Sequence, residues 1–75
     1  MEKLKEIKIN TEFIKMPQLL KLANVISQGS DAKFYVQQGD IFLDNVVVHE
    51  LRKKVYPGSI VTAKVNNEII KLKVV

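Results

Sequence analysis

The apolar residues of this chain change their spacing twice, and that change constrains the fold more than any other feature. Val61, Ala63 and Val65 alternate with Thr62 and Lys64, and Ile70, Leu72 and Val74 alternate with Lys71 and Lys73. This is the two-residue period of half-buried strands. From Met16 to Gly39 the spacing is helical instead. At 100° per residue, Met16, Leu19, Leu20, Leu22, Ala23 and Ile26 share one broad arc, with Pro17, Gln18, Lys21 and Asn24 on the other side. The spacing predicts a helix within residues 16–27, with Pro17 in its first turn and Gly29 as a left-handed stop. A second helix follows over residues 30–38, with Ser30 as N-cap and Asp31 favouring the dipole. Ala32, Tyr35 and Val36 share its inner face and Gly39 ends it. Very little chain joins the two, which makes a tight helix–turn–helix-like pair.

The remaining segments read as strands and turns. Ile7 and Ile9 alternate with Lys8 and Asn10, a short half-buried strand, and Phe13 and Ile14 follow a polar stretch that turns the chain. Ile41 and Leu43 alternate with Asp40, Phe42 and Asp44, and Asp44-Asn45 is a tight-turn pair before Val46-Val47-Val48. Tyr56-Pro57-Gly58 carries the signature of a type II turn. Asn66-Asn67 closes the last hairpin, whose lysines face solvent. The expected fold is α+β, a single small domain over residues 1–75 with two adjacent helices packed on a small, mostly antiparallel sheet.

Composition removes several classes of function. With 75 residues and no cysteine, the chain folds without disulfides and has neither zinc–thiolate sites nor thiol nucleophiles. An apolar fraction of 47% is that of a globular domain rather than a disordered tail. No apolar run approaches the ~18 residues of a membrane span. Residues 1–6 alternate charges and lack the apolar stretch of a secretory signal, so a soluble cytoplasmic protein is expected. His49 stands alone, Ser27, Ser30 and Ser59 sit in turn or cap contexts, and the acids are scattered. Gly29, Gly39 and Gly58 are too far apart for a phosphate loop. No catalytic residue, metal, cofactor, small-molecule substrate or membrane contact is therefore expected.

Charge points to a polyanionic partner. Lysine and arginine number 12 against 8 acids, a net charge of +4. The segment His49-Glu50-Leu51-Arg52-Lys53-Lys54 has three cations and one acid, hence +2, half of that total. It reads either as a basic anion-binding loop or as a sheet edge kept charged against pairing. Lys21, Asn24 and Gln28 line up at helical spacing, with Ser30 and Lys33 following the turn. Helix-start N–H groups there can hold a phosphate, though Asp31 opposes it and a solvated helix face is the plainer account. Phe34 lies away from the inner face, beside Gln37 and Gln38. It is expected to cover a second apolar surface, formed by Phe13 and Ile14 or by Val25, with stacking on a base as the alternative.

Taken in order, residues 16–61, about three-fifths of the chain, resemble the S4 RNA-binding domain, a module named after a small-subunit ribosomal protein. The residues concerned are Leu19-Leu20-Lys21-Leu22-Ala23, Gly29-Ser30-Asp31-Ala32-Lys33, Gly39, Ile41-Phe42-Leu43-Asp44-Asn45, Arg52-Lys53-Lys54 and Pro57-Gly58-Ser59-Ile60. Flanking strands are a feature of the short stand-alone bacterial members of that family. This sequence departs from the pattern in three places. Gly29, Ser30 and Asp31 stand where an arginine commonly opens the second helix, Asp44-Asn45 replaces Asn-Gly, and Ser59 replaces the turn aspartate. The resemblance implies an RNA-binding surface built from the two helices and the following loop, the αL motif. It implies Lys21, Lys33, Arg52, Lys53 and Lys54 as phosphate contacts; the reading of the residues adds Asn24, Gln28, Ser30 and Phe34 as weaker candidates. The resemblance also implies structured RNA, ribosomal or transfer, as partner, with association to the ribosome or a ribosomal subunit.

The principal rival is a protein-interaction adaptor using an exposed apolar patch of Phe34, Val25 and the valine run. A β-grasp carrier is disfavoured by Val74-Val75 where such proteins need a flexible Gly-Gly tail. DNA in place of RNA is left open by charge alone, since lysines contact phosphate on either polymer.

Overall fold

The computed structural model describes residues 2–28 and 30–75 and contains seven strands and two helices among them. The strands are β1 (Glu2–Ile7), β2 (Ile14–Lys15), β3 (Ile41–Leu43), β4 (Val46–Val47), β5 (Lys54–Val55), β6 (Ile60–Val65) and β7 (Glu68–Val74). The helices are α1 (Met16–Leu22) and α2 (Asp31–Gln38). Five strands form one sheet in the order β1-β7-β6-β3-β4, and β2 pairs with β5 in a separate two-stranded ribbon. All pairings are antiparallel except β1 with β7. The fold is α+β, as expected.

Local turn chemistry sets the hairpins. Asp44 and Asn45 (φ 49° and 69°) and Asn66 and Asn67 (φ 53° and 62°) take the paired left-handed geometry of two-residue hairpin turns. Asp44 also locks its hairpin to β6: its N–H donates to the Ile60 carbonyl (2.8 Å) and its carboxylate accepts the Ile60 N–H (2.9 Å). Gly58 (φ 99°) supplies the positive φ of the type II turn, closed by Ser59 N–H to the Tyr56 carbonyl at 3.1 Å.

One apolar core joins the helices to one face of the sheet. Val61, Ala63 and Val65 of β6 and Leu72 and Val74 of β7 are buried there. Met16, Leu19, Leu20, Ala23, Ala32 and Val36 close over them from the helical side. Each fully buried leucine of this set contributes ~1.5–3 kcal/mol of transfer free energy. The register sends Leu4, Ile69, Lys71, Lys73, Ile60, Thr62 and Lys64 to the opposite, open face.

Three expectations need correction. First, the leading helix does not reach residue 27. It ends at Leu22, and Asn24 (φ 61°), not Gly29, supplies its left-handed stop. Asn24 N–H donates to the Lys21 carbonyl (3.1 Å) and Val25 N–H to the Leu20 carbonyl (2.9 Å), the paired bonds of a Schellman ending. Gly29 lies outside the described residues. Ile26 reaches the core from beyond the helix, which is why it extended the apparent period, while Leu22 is 56% exposed. Second, the first strand runs from Glu2 to Ile7 rather than about Ile7 and Ile9. Its inner face is Lys3, Lys5 and Ile7, and the Lys5 ammonium donates to the Ala23 carbonyl at the end of α1 (3.1 Å). A cation there contributes about 0.3–1 kcal/mol against the helix dipole. Third, Ser30 precedes α2 in a helical conformation and its side chain makes no capping bond. The Gly39 end of α2 is as expected, with Gly39 N–H to Val36 and Asp40 N–H to Tyr35.

The stop at residue 24 is directly testable. Asn24→Ala puts a Cβ in a left-handed position without the local hydrogen bonding of asparagine and should cost about 1 kcal/mol in urea melts. Asn24→Gly should match or exceed wild-type stability. Equal loss in both variants would refute the cap assignment.

Candidate nucleic-acid interface

The basic loop between β4 and β5 is held by apolar anchors with its cations outside. Val48 and Val55 are buried and Leu51 is half-buried against the core, while Arg52, Lys53 and Lys54 are exposed between them. Lys53 N–H turns back to the Glu50 carbonyl at 3.3 Å. Its own carbonyl accepts the Met16 N–H at 2.9 Å, the first amide of α1. Helix-start amides need an outside acceptor, and Lys15, at the N-cap position, makes no side-chain capping bond. The loop supplies that acceptor. The β2–β5 ribbon continues the joint, with Ile14 opposite Val55 and Lys15 opposite Lys54.

This joint brings a cation into the site that the sequence reading missed. Lys15 is exposed and paired across the ribbon with Lys54. Nothing local marks it, because its relation to Lys54 depends on a two-residue pairing between segments far apart in the chain. Two aromatic rings stand beside these lysines. Phe13 and Tyr56 lie 5.7 Å apart between centroids, and the Lys54 ammonium is 4.8 Å above the Phe13 ring. A groove of about 500 Å³ runs past Arg52, Lys53, Lys54 and Tyr56, with Glu50 as the acid in its wall.

The remaining predicted residues are less closely gathered. Lys21 is exposed in the last turn of α1, the helix whose first amide the loop holds. Lys33 is exposed on α2. The helical alignment of Lys21, Asn24 and Gln28 is not found: Asn24 is the left-handed stop, and Gln28 lies in the following turn, its carbonyl accepting Asp31 N–H at 3.0 Å. His49 is an exposed loop residue, as expected.

Phe34 is the clearest correction at the surface. It is 55% exposed and meets the Tyr35 ring edge-on at 5.2 Å, rather than covering Phe13, Ile14 or Val25. Its cleft is mixed, with Tyr35 and Ile69 beside Gln38, Lys64, Asn66 and Glu68 in the walls. The valine run lines a different groove with His49 and Lys53, so the structure does not assemble a single apolar patch from Phe34 and the valines.

Charge is distributed unevenly among these groups. Among the described residues the ion pairs are Lys3–Glu68 (3.1 Å) and Lys71–Glu2 (2.9 Å), both between β1 and β7. Lys15, Lys21, Lys33, Arg52, Lys53 and Lys54 therefore have no carboxylate partner among them. Arg52, Lys53 and Lys54, gathered in one groove, keep a positive field available to an anion.

A two-helix α+β fold with a cation-bearing loop tied to the first helix defines the class, and comparison with known proteins gives the family. The chain belongs to the S4 domain family, whose model matches residues 7–73. It is similar to the probable ribosome maturation protein RlbA of Bacillus subtilis (strain 168), at 34% identity over 55 residues. That match covers 73% of this chain and 78% of the relative. Among the described residues no helix is long and apolar enough to cross a membrane.

Because Phe34 is more than half exposed, Phe34→Ala should cost only ~1 kcal/mol, the scale of an edge-to-face aromatic contact. A buried phenylalanine would cost ~3–5 kcal/mol. Urea melts of the two proteins separate these values, and a loss in the larger range would contradict the exposed placement.

Proposed function

We propose that this chain is a non-catalytic RNA-binding protein that holds structured RNA, ribosomal or transfer, through the αL surface. Arg52, Lys53 and Lys54 provide the main phosphate contacts, Lys15 joins them across the ribbon, and Lys21 and Lys33 extend the surface along the helices. Asn24, Gln28 and Ser30 border it. Residues 1–75 act as one unit, in the cytoplasm and in association with the ribosome or a ribosomal subunit. The observation that carries this reading is the loop joint: three consecutive cations are fixed against the start of α1 without a carboxylate partner among the described residues. Membership of the S4 domain family supports RNA as the polyanion. The printed name of the Bacillus subtilis relative supports the ribosomal setting.

The mechanism is electrostatic positioning. Lysine and arginine neutralise phosphates and release condensed counterions, and the shape of the folded RNA selects among targets. Exposed cations contribute little to folding, so this surface can be altered while the fold is kept.

The test is the salt dependence of binding to ribosomal RNA fragments. Each phosphate contact adds ~0.7–0.9 to the slope of log affinity against log salt. Arg52 sits in the turn closed by Lys53 N–H to the Glu50 carbonyl, and Lys53 and Lys54 alternate in direction as the chain enters β5, so about two of the three cations reach one backbone. Arg52→Ala, Lys53→Ala and Lys54→Ala combined should flatten the slope by about 1.5 and weaken binding most at low salt. A Lys71→Ala, Lys73→Ala variant removes charge from the open sheet face and should matter less. Equal loss in both variants would mean that net charge, not this surface, binds the RNA.

A further inference from the structure

The outward face of the β2–β5 ribbon carries a four-residue tile that the phosphate contacts alone do not account for. Ile14 and Val55 face each other across the ribbon and are buried. Alternation then turns Lys15 and Lys54 outward as an opposed pair. Just beyond the Ile14–Val55 pair, where the ribbon ends, Phe13 meets Tyr56, their rings 5.7 Å apart and tilted by 51°. The Lys54 ammonium lies on the diagonal, 4.8 Å above Phe13. Two cations and two aromatic rings thus share one small surface. Phe13 is half-buried and supports Tyr56, which is 46% exposed.

Among the described residues the ring pairing of Tyr56 is with Phe13, and the residue is 46% exposed. The fold uses Tyr56 through its backbone, whose carbonyl closes the turn with Ser59 N–H. That bond needs no aromatic side chain. The ring borders the same groove as Arg52, Lys53 and Lys54. An aromatic face beside fixed cations is the arrangement that takes an unstacked nucleotide, base on ring and phosphate on ammonium.

We propose that the Phe13–Tyr56–Lys15–Lys54 tile is a nucleobase-stacking subsite, so that the preferred ligand is RNA with an unpaired nucleotide beside a helix rather than a continuous duplex. This deepens the RNA-binding reading and rests on it. Tyr56 supplies the stacking face, Phe13 holds that face in position, and Lys15 and Lys54 take the phosphate attached to the stacked base. Stacking is tolerant of base identity, because every base presents a π-face.

Two RNA probes test the proposal: a short blunt duplex, and the same duplex with a few unpaired nucleotides in one strand. Wild-type protein should bind the interrupted duplex more tightly. Stacking worth ~1–3 kcal/mol per base corresponds to roughly 5- to 150-fold in affinity. At this half-exposed ring the low end applies, so Tyr56→Ala should weaken the interrupted duplex by about tenfold and the blunt duplex by less than threefold. Tyr56→Phe should retain the preference. Tyr56→Leu, which keeps apolar bulk but no planar face, should lose it, and this variant decides the matter if the alanine protein fails to fold. Loss of less than threefold on the interrupted duplex, or equal loss on both probes, overturns the subsite and leaves the phosphate-binding loop standing. Absence of salt-sensitive binding to either probe by wild-type protein overturns both readings together.

Discussion

The hydrogen bond from Met16 N–H to the Lys53 carbonyl is the contact on which the candidate site depends. It has two effects at once. It satisfies a helix-start amide that the Lys15 side chain does not cap, and it fixes the last residue of the most basic loop, just before β5, against α1. Val48, Leu51 and Val55 keep the loop seated from below, so that the apolar core positions the charges even though none of the charged groups is buried.

The same economy runs through the rest of the molecule. On the β1–β7 side three lysines are engaged, Lys3 with Glu68, Lys71 with Glu2, and Lys5 with the Ala23 carbonyl at the end of α1. Lys64 lies 5.1 Å from the Phe42 ring centroid on the open sheet face. The cations around α1 and the loop have no such carboxylate partners among the described residues. A net charge of +4 is therefore less informative than its arrangement, which places three consecutive cations without a carboxylate partner among the described residues in one anchored loop.

What could be read from the sequence is what short-range chemistry determines. The Asp44-Asn45 and Asn66-Asn67 turns, the Tyr56-Pro57-Gly58 turn, the β6–β7 hairpin and the Gly39 end of α2 each depend on a few neighbouring residues, and all are found as expected. The end of α1 was hidden because Asn24 takes the role usually given to glycine, and because Ile26 continues the apolar spacing from outside the helix. The first strand was hidden because two of its three inward positions are lysines, whose stems can lie along the sheet while their heads reach polar groups. The two-residue ribbon was invisible because neither Ile14-Lys15 nor Lys54-Val55 is long enough to show a period. Lys15, Phe13 and Tyr56 came into the site only through that ribbon. Family resemblance directed attention to this loop, but the aromatic and basic groups beside it are visible only in the fold.

The central claim is that the loop joint, and not the open sheet face, meets the RNA. Amide chemical-shift mapping by NMR, with ribosomal RNA titrated into the labelled protein, tests this most directly. The account predicts that the largest shifts fall on residues 13–16 and 52–56, with smaller ones near Lys21 and Lys33 and little change in Leu4, Ile69 or Lys71. Shifts centred on β1, β6 and β7, with residues 52–56 unmoved, would contradict it.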